Sequence, residues 1–500
     1  MFDHKIKTLD EIHAVLKDSG KTIVLAHGCF DLVHPGHLRH LIFCKQQADI
    51  LVVSVTADEH ILKPGRRPYV PESLRALNLA ALEMVDYVFI DTRATPLVAI
   101  ETLRPNIFAK GFEYGWLHSP KTNAEVAAVE AYGGKVIFTP NDVVYSSTAI
   151  INSDPPNLAI DKLHLLMNAE GVTFDALCDA LNKITKLSCQ VVGDLIIDGY
   201  THASATSTSN KTPTISARLG RHETFIGGAG IVAKHVEAAG AAMKFVTVIG
   251  DDELGRMACK EFPCGSLLLD VSRPTTFKHA FVVDGYRLLK IDTVNNSPIA
   301  DDLIEKIQQL IQAAQSDVLI FSDFRHGIFD RRTAASMVAF AQANPRSFLV
   351  ADSQVASRWG NVLDFKGVSM IFANEREVRF ALGDQDSTIL SLGREAYKAS
   401  GAQAMIMKLG DRGAMTFRTS AGARDWFIVD SFSRNAIDPV GAGDAMLAYA
   451  SLAMKATGSA VIATILGSIA AGLECERDGN IPIDRKMMEQ RIHELEELCR

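Results

Sequence analysis

The chain has 500 residues, of which 47% are hydrophobic, and its formal net charge at pH 7 is -8. A chain of this length exceeds a single hydrophobic core and predicts two or three domains. The negative charge argues against a broad nucleic-acid-binding surface. Because no stretch approaches 18 uninterrupted apolar residues, we expect no membrane insertion. The first ten residues lack a signal-peptide core, and the eight cysteines form no CxxC pair, so we expect a cytoplasmic protein with reduced thiols.

Short apolar runs alternate with helical patterns over residues 1–151, the first predicted domain. The predicted strands are Thr22–Ala26, Ile50–Thr56, Tyr87–Asp91, Ile107–Ala109 and Lys135–Thr139, and the predicted helices are His37–Gln47, Pro71–Leu82, Pro96–Leu103 and Thr122–Tyr132. This alternation predicts a parallel sheet covered by helices, with ligands at the carboxyl ends of its strands.

Residues 152–188 form the predicted linker, since Asn152–Asn157 breaks the pattern and the amphipathic stretch Phe174–Ile184 caps the next domain or bridges the two. A second α/β pattern occupies residues 189–500. Its predicted strands are Cys189–Asp194, Lys244–Ile249, Asp317–Phe321, Ser347–Ala351, Met370–Phe372 and Ala404–Lys408. The polar segment Thr201–Thr224, which is strand-poor at its start, predicts a small lid over the sheet edge.

Two histidines follow the first predicted strand. His34 and His37 are three residues apart, and a helix that begins at the intervening proline or glycine places both imidazoles near its positive end. The small residues Gly28 and Gly36 allow a phosphate to approach the backbone closely. This pattern favours nucleotidyl transfer, in which a sugar-phosphate oxygen attacks the α-phosphate of a nucleoside triphosphate and pyrophosphate leaves. We expect Mg²⁺ to assist.

Residues 28–37 resemble the GxFDxxHxGH signature of the cytidylyltransferase-like superfamily. Further segments resemble that family's motifs in the family's order: the basic loop Lys63–Pro68, Arg75 at a helix start, Lys110–Tyr114, and the closing segment Tyr145–Ile150. The resemblance implies a nucleotide site that comprises Gly28, Phe30, Asp31, Gly36, Arg75, Lys110, Ser147 and Thr148, with His34, His37 and Lys63 as catalytic residues.

A second glycine-rich signature, Asp438–Asp444, precedes the apolar helical stretch Ala445–Leu452. Consecutive backbone N–H groups at such a helix start form an anion hole suited to a γ-phosphate. Asp444 at its edge can take a proton from an attacking sugar hydroxyl.

Residues 189–485 resemble the ribokinase-like carbohydrate kinase family, on Gly193-Asp194, Gly227–Gly230, the NxxE segment Asn374–Glu377, Lys408–Gly413 and the DTGAGD-like Asp438–Asp444. The resemblance implies that Asp444 is catalytic. It also implies three sets of binding residues: Lys408, Gly410, Gly441, Ala442 and Gly443 for ATP; Asp194, Asp198, Gly227, Gly228, Asp292 and Asp323 for the sugar; and Asn374 and Glu377 for Mg²⁺.

The two signatures together resemble the bifunctional heptose 7-phosphate kinase/heptose 1-phosphate adenylyltransferase family, which makes ADP-heptose for lipopolysaccharide. The resemblance implies sugar-phosphate and ATP substrates and a homodimer joined through the kinase lid. Three departures limit it. The transferase comes first here, Ile231 stands where the family has asparagine, and Ser209–Thr214, with Lys211 in place of an acid, replaces the family's lid segment.

Two alternatives therefore stay open. One is a CTP-dependent cytidylyltransferase fused to a kinase for another sugar phosphate. The other is a ligand-binding regulatory protein with a disabled kinase pocket, because the apolar Ile231 cannot hydrogen-bond a sugar hydroxyl.

Overall fold

The structure is a computed structural model that describes residues 2–61, 68–111, 120–138, 159–208, 215–262, 267–343, 346–354, 361–419, 424–433, 436–477 and 479–499. The chain divides into two compact units, Met1–Leu158 and Ala159–Arg500. The proposed linker at Asn152–Asn157 and the lid departure at Ser209–Thr214 lie outside the described residues.

The first unit contains a five-stranded parallel sheet in the order β3-β2-β1-β4-β5. Its strands are β1 (Ile23–Gly28), β2 (Ile50–Thr56), β3 (Tyr87–Asp91), β4 (Ile107–Lys110) and β5 (Lys135–Phe138). Its helices are α1 (Leu9–Leu16), α2 (Pro35–Lys45), α3 (Glu72–Ala80), α4 (Leu97–Leu103) and α5 (Pro120–Glu130). The predicted Rossmann-like arrangement is confirmed, and only α1, capped reciprocally by Thr8 and Glu11, was not predicted.

The second unit is built on a nine-stranded sheet in the order β10-β9-β6-β13-β14-β15-β16-β17-β18, parallel except for its last two pairings. Its strands are β6 (Ser188–Gly193), β9 (Ala242–Ile249), β10 (Leu267–Leu269), β13 (Val318–Asp323), β14 (Phe348–Ser353), β15 (Met370–Asn374), β16 (Ala404–Lys408), β17 (Ala414–Arg418) and β18 (Trp426–Val429). The predicted ribokinase-like α/β class is confirmed.

Helices cover both faces of this sheet. They are α6 (Ala159–Ala169), α7 (Phe174–Ile184), α8 (Ala229–Ala238), α9 (Glu253–Glu261), α10 (Asp301–Ala314), α11 (Arg331–Gln342), α12 (Glu375–Leu382), α13 (Ile389–Ser400), α14 (Ala442–Thr457), α15 (Ala460–Cys475) and α16 (Arg485–Cys499). Successive strand residues point to opposite faces, so Val191 and Val192 enter two different apolar clusters. The apolar side of α7 packs into the first of these, inside the second unit.

A separate four-stranded sheet forms the lid, in the order β12-β11-β7-β8. It consists of β7 (Leu195–Thr208), β8 (Ile215–Gly228), β11 (Phe277–Val283) and β12 (Tyr286–Thr293). The lid prediction is confirmed, but the expectation that Thr201–Thr224 begins without strand is wrong. The segment starts inside β7, where the buried Thr201 pairs with His222 of β8, because β-branched threonines suit a strand.

No helix among the described residues is long and apolar enough to cross a membrane.

Candidate active sites

The carboxyl ends of the parallel strands bring the kinase candidates of the second unit to one edge of the sheet. Asp194 follows β6, and β13, β15 and β16 end in Asp323, Asn374 and Lys408. The neighbouring β14 adds Asp352, which the sequence analysis did not single out. Ligand sites of open α/β sheets lie at this edge.

The glycine-rich signature forms the start of α14. Gly441 has a left-handed backbone (φ 86°), and its carbonyl accepts hydrogen bonds from the N–H groups of Asp444 (2.9 Å) and Ala445 (3.0 Å). The first N–H groups of a helix have no intrahelical acceptor, so those of Ala442 and Gly443 can bind an anion. A β-carbon on Gly443 would lie 3.6 Å from Lys408 Nζ, which therefore lies beside this anion hole.

Lys408 and two carboxylates form the charged centre of this site. Lys408 Nζ donates to Asp352 Oδ2 at 2.6 Å, while Asp352 Oδ1 and Asp444 Oδ1 are buried without a hydrogen-bond partner. Burial would lower the pKa of Lys408, but Asp352 and Glu377 outweigh it and raise that pKa. Burial and Asp352 raise the pKa of Asp444 to about 8, against the opposing effect of Lys408. A buried carboxyl with a pKa near neutrality is typical of a general base.

On the sugar side, Asp198 lies against the glycine pair. A β-carbon on Gly227 would lie 2.0 Å from Asp198 Oδ2, so only glycine fits there. Asn480 Nδ2 donates to the same oxygen at 2.9 Å and orients the carboxylate. The next glycine, Gly228, has a positive φ of 57° and precedes α8, in whose first turn Ile231 is buried.

The other predicted sugar ligands differ in their surroundings. The carboxylate of Asp194 accepts three backbone N–H bonds, from Phe324 (3.0 Å), His326 (3.2 Å) and Ile328 (3.3 Å), so it orders the loop after β13. Asp323 is fully buried, where it accepts a hydrogen bond from Ser353 Oγ and pairs with Arg325. Asp292 is exposed on β12 of the lid.

The predicted metal residues Asn374 and Glu377 form a reciprocal capping box at the start of α12. Asn374 Oδ1 accepts from the Glu377 N–H at 2.8 Å, and the Glu377 carboxylate accepts from Asn374 N and Nδ2 at 2.6 and 2.7 Å. The box fixes the Glu377 carboxylate near Lys408. Gly410, with a φ of 64°, begins the turn that follows Lys408.

In the first unit, α2 begins directly after the loop that follows β1. His34 caps this helix, and its Nδ1 accepts from the Gly36 N–H at 3.1 Å, which leaves the proton on Nε2. His37 Nδ1 lies 2.9 Å from the Leu32 carbonyl, so this nitrogen carries a proton. The two imidazole rings lie 4.0 Å apart. The predicted pair therefore meets at the positive end of a helix.

Around this pair, several predicted ligands contact other protein groups. Asp31 accepts from the N–H groups of Tyr69 (2.8 Å) and Val70 (2.9 Å). Arg75 is fully buried, donates to the Val70 carbonyl and pairs with Asp58 at 2.6 Å, so its charge is already balanced. Lys110, at the end of β4, pairs with Glu125.

Phe30 has a positive φ of 49°, and its ring packs against Gly28, where a β-carbon would lie 3.0 Å away. A side chain at Gly28 would therefore displace the ring that lies beside His37. The predicted residues Lys63, Ser147 and Thr148 lie outside the described residues.

Sequence reasoning missed four kinase-site residues: Asp352, Lys278, Arg287 and Asn480. Asp352 could have been found, because it follows a predicted strand whose carboxyl end faces the site. Arg287 on the lid pairs with Asp438 of the glycine-rich signature at 2.7 Å, and Asn480 comes from a distant loop. Neither carries a local signal, because only the tertiary fold brings them to the site.

Comparisons with known proteins agree with this geometry. A family model described as "pfkB family carbohydrate kinase" matches residues 186–486, and one described as "Cytidylyltransferase-like" matches residues 25–153. A protein named "Bifunctional protein HldE" from Geobacter metallireducens is 42% identical over 139 residues, which are 27% of this chain and 28% of that protein. One of the same name from Rhodopseudomonas palustris is 28% identical over 332 residues, 64% of this chain and 66% of that protein.

Each match thus spans less than two thirds of the relative's length. Among solved structures, phosphofructokinase-2 from Escherichia coli with substrates and products bound is similar in fold. Its TM-score is 0.51 at 14% identity, and the match covers 62% of this chain and 99% of that one.

Proposed function

Because this chain belongs to the pfkB family of carbohydrate kinases and also carries a cytidylyltransferase-like domain, we propose that it is a bifunctional transferase. Its second unit phosphorylates a sugar phosphate with ATP, and its first unit joins a sugar 1-phosphate to a nucleotide. The buried Asp444 beside Lys408 and the α14 anion hole is the observation that carries the kinase assignment.

In the kinase reaction, Asp444 accepts the proton of the sugar hydroxyl as that oxygen attacks the γ-phosphorus of ATP. The new bond joins the sugar oxygen to phosphorus, the bond to the β–γ bridging oxygen breaks, and ADP leaves. The N–H groups of Ala442 and Gly443, together with Lys408, stabilise the charge on the transferred group. Asp198 accepts hydrogen bonds from other sugar hydroxyls, oriented by Asn480.

The raised pKa of Asp444 predicts the pH dependence of the kinase. At pH 7 a carboxyl of pKa about 8 is mostly protonated and cannot accept a proton, so kcat/KM for the sugar should rise with pH and level off above about 8. Lys408→Met removes the cation that opposes this shift, so it should move the inflection further upward. A pH profile of kcat/KM for both proteins checks this, and an inflection that does not move with Lys408 would contradict it.

Mg²⁺ fits the kinase site, because Glu377 and the unpartnered Asp352 Oδ1 offer the hard carboxylate oxygens that this ion prefers. Asn374 and Glu377 would hold the ion with its waters and the substrate phosphates. When bound, the ion neutralises charge on the ATP phosphates. Lys408 and the helix start supply the remaining positive charge.

In the transferase reaction, a sugar 1-phosphate oxygen attacks the α-phosphorus of the nucleoside triphosphate, and the bond to the leaving pyrophosphate breaks. His34 and His37, at the positive end of α2, stabilise the charge on the α-phosphoryl oxygens. Lys63, Ser147 and Thr148 complete the site through the family resemblance.

The proposed sugar is a heptose, which gives ADP-heptose as the product of the second reaction. The first test measures ATP turnover with heptose 7-, hexose 6- and pentose 5-phosphates. The second measures nucleotidyl transfer from ATP or CTP to the matching sugar 1-phosphates. Activity on another sugar, or with CTP, would favour the alternative transferase–kinase pairing. The absence of ATP turnover with every sugar phosphate would favour a regulatory protein whose kinase pocket is disabled by Ile231.

We also propose a cytoplasmic homodimer joined through the lid. The lid face that bears Leu289 and Ile291 is exposed and apolar, and Leu219 extends it, so a second copy can cover it. No disulfide joins the cysteines of the described residues to one another, which agrees with a reducing compartment. Light scattering should give twice the chain mass, and Leu289→Glu should give monomers. A monomeric parent protein would overturn this proposal.

A further inference from the structure

An ion pair joins the lid to the glycine-rich signature of the kinase site. Arg287 Nη2 on β12 lies 2.7 Å from Asp438 Oδ2, although the two residues are 151 positions apart in the chain. The Asp438 side chain is almost completely buried, whereas the Arg287 side chain is half-exposed. A buried carboxylate needs a partner, so the lid supplies a positive charge that the signature requires.

The same carboxylate shapes the loop that leads into α14. Asp438 Oδ1 accepts from the Val440 N–H at 3.1 Å, and the Asp438 N–H donates to the Cys475 carbonyl at the end of α15 at 3.2 Å. Val440 directly precedes Gly441, whose turn begins the anion hole. The negative charge of Asp438 is therefore bound to the peptide unit next to the hole that receives the γ-phosphate.

Other carboxyl groups lie at the same turn. A β-carbon on Gly441 would lie 2.9 Å from Glu474 Oε1. Burial, together with the nearby Asp444 and Asp438, raises the pKa of Glu474 to about 8, so this carboxyl, like that of Asp444, is mostly neutral at pH 7. Asp438 differs from both, because it forms an ion pair. Since like charges repel, a phosphate binds well beside Asp438 only while a cation offsets its charge.

The lid holds the guanidinium of Arg287 in place from its other side. The guanidinium carbon lies 5.5 Å from the centroid of the Tyr200 ring on β7, and the Phe225 ring packs edge-on against Tyr200 with their centroids 5.8 Å apart. A cation is attracted to the face of an aromatic ring, so Tyr200 helps to keep Arg287 beside Asp438.

Resting on the proposed kinase function, we propose that Arg287 is a positioning residue for ATP: it offsets the charge of Asp438 and so keeps the anion hole at the start of α14 able to bind the γ-phosphate. Arg287 acts through Asp438 and does not contact the phosphate. The lid, which carries Asp198 on its sugar side, thereby also contributes to ATP binding.

The test removes the two charges one at a time and measures KM for ATP at saturating sugar phosphate. Arg287→Met leaves the Asp438 carboxylate unpaired beside the hole, so KM should rise about tenfold. The value of kcat should change little, because bound ATP and the transition state both carry the phosphoryl charge. Adding Asp438→Asn to Arg287→Met removes the unpaired charge and keeps an oxygen for the Val440 N–H, so it should restore most of the lost affinity.

Arg221→Met is the matched control, because Arg221 is an exposed lid arginine on β8 that pairs with Glu223 at 3.0 Å. It should keep the parent KM for ATP. Two results would overturn the inference. If Arg287→Met behaved like Arg221→Met, the pair with Asp438 would have no part in ATP binding. If Asp438→Asn failed to restore the affinity, Arg287 would contact the phosphate itself.

A binding measurement separates this failure from failure of the kinase proposal. Calorimetric titration of the full chain with ATP needs no turnover, and the first unit is identical in all variants, so a difference between Arg287→Met and Arg221→Met belongs to the second unit. Weaker binding to Arg287→Met that Asp438→Asn restores would support the inference even if no sugar were phosphorylated. Equal titrations, alongside measurable phosphorylation by the parent, would remove the role of Arg287 and leave the kinase.

Discussion

Asp444→Asn should lower sugar phosphorylation by at least about 10³-fold, because it removes the only carboxylate at the start of α14 and leaves a group that cannot accept a proton. Asparagine matches aspartate in shape, and Asp444 Oδ1 has no partner to lose, so the fold should be retained. The loss should fall on kcat, since the carboxylate acts on the proton that leaves during the reaction. Coupled measurement of ADP release with a sugar phosphate checks it.

The same preparation provides its own control. Nucleotidyl transfer depends on the first unit, which forms a compact body with its own core, so this second activity should stay near the parent level. If Asp444→Asn abolished both activities in a folded protein, the assignment of one reaction to each unit would be wrong. If it left phosphorylation intact, Asp444 would not be the base.

The parallel strands of both sheets other than β10 were predictable, because each has a clear pattern in the sequence. Ile50–Thr56 and Ala404–Lys408 are apolar runs bounded by polar residues, and their predicted ends agree with the observed strands. The lid was harder, because β12 is exposed along its length and carries no buried alternation that a sequence pattern could display.

The kinase site was predictable where a motif lies at a strand end or a helix start, as with Lys408 and Asp444. The rest of the site was not predictable, because the position of those residues depends on the register of strand pairing or on the hydrogen bonds that a buried polar group makes. Lys278 faces Asp198 only because β11 pairs with β7, and Asn480 reaches Asp198 from 282 residues away in the chain. Asp194 illustrates the converse, since its motif suggests a sugar ligand and its carboxylate is bound by the Phe324 loop.

His37→Ala should lower nucleotidyl transfer by about 10²- to 10³-fold while phosphorylation continues at the parent rate. The imidazole is fixed by its bond to the Leu32 carbonyl and by the adjacent His34 ring, so it can contact the α-phosphate without reorganising. Pyrophosphate release with a sugar 1-phosphate and ATP measures the effect.

The neighbouring His40→Ala is the matched control, because His40 lies one turn further along α2, where burial lowers its pKa to about 4. Removing this neutral imidazole should change transfer much less than removing His37. Equal losses in the two variants would mean that the start of α2 acts through its packing and not through the His34–His37 pair. A loss confined to His37→Ala, with kinase activity intact, is the outcome expected if the His37 imidazole contacts the α-phosphate.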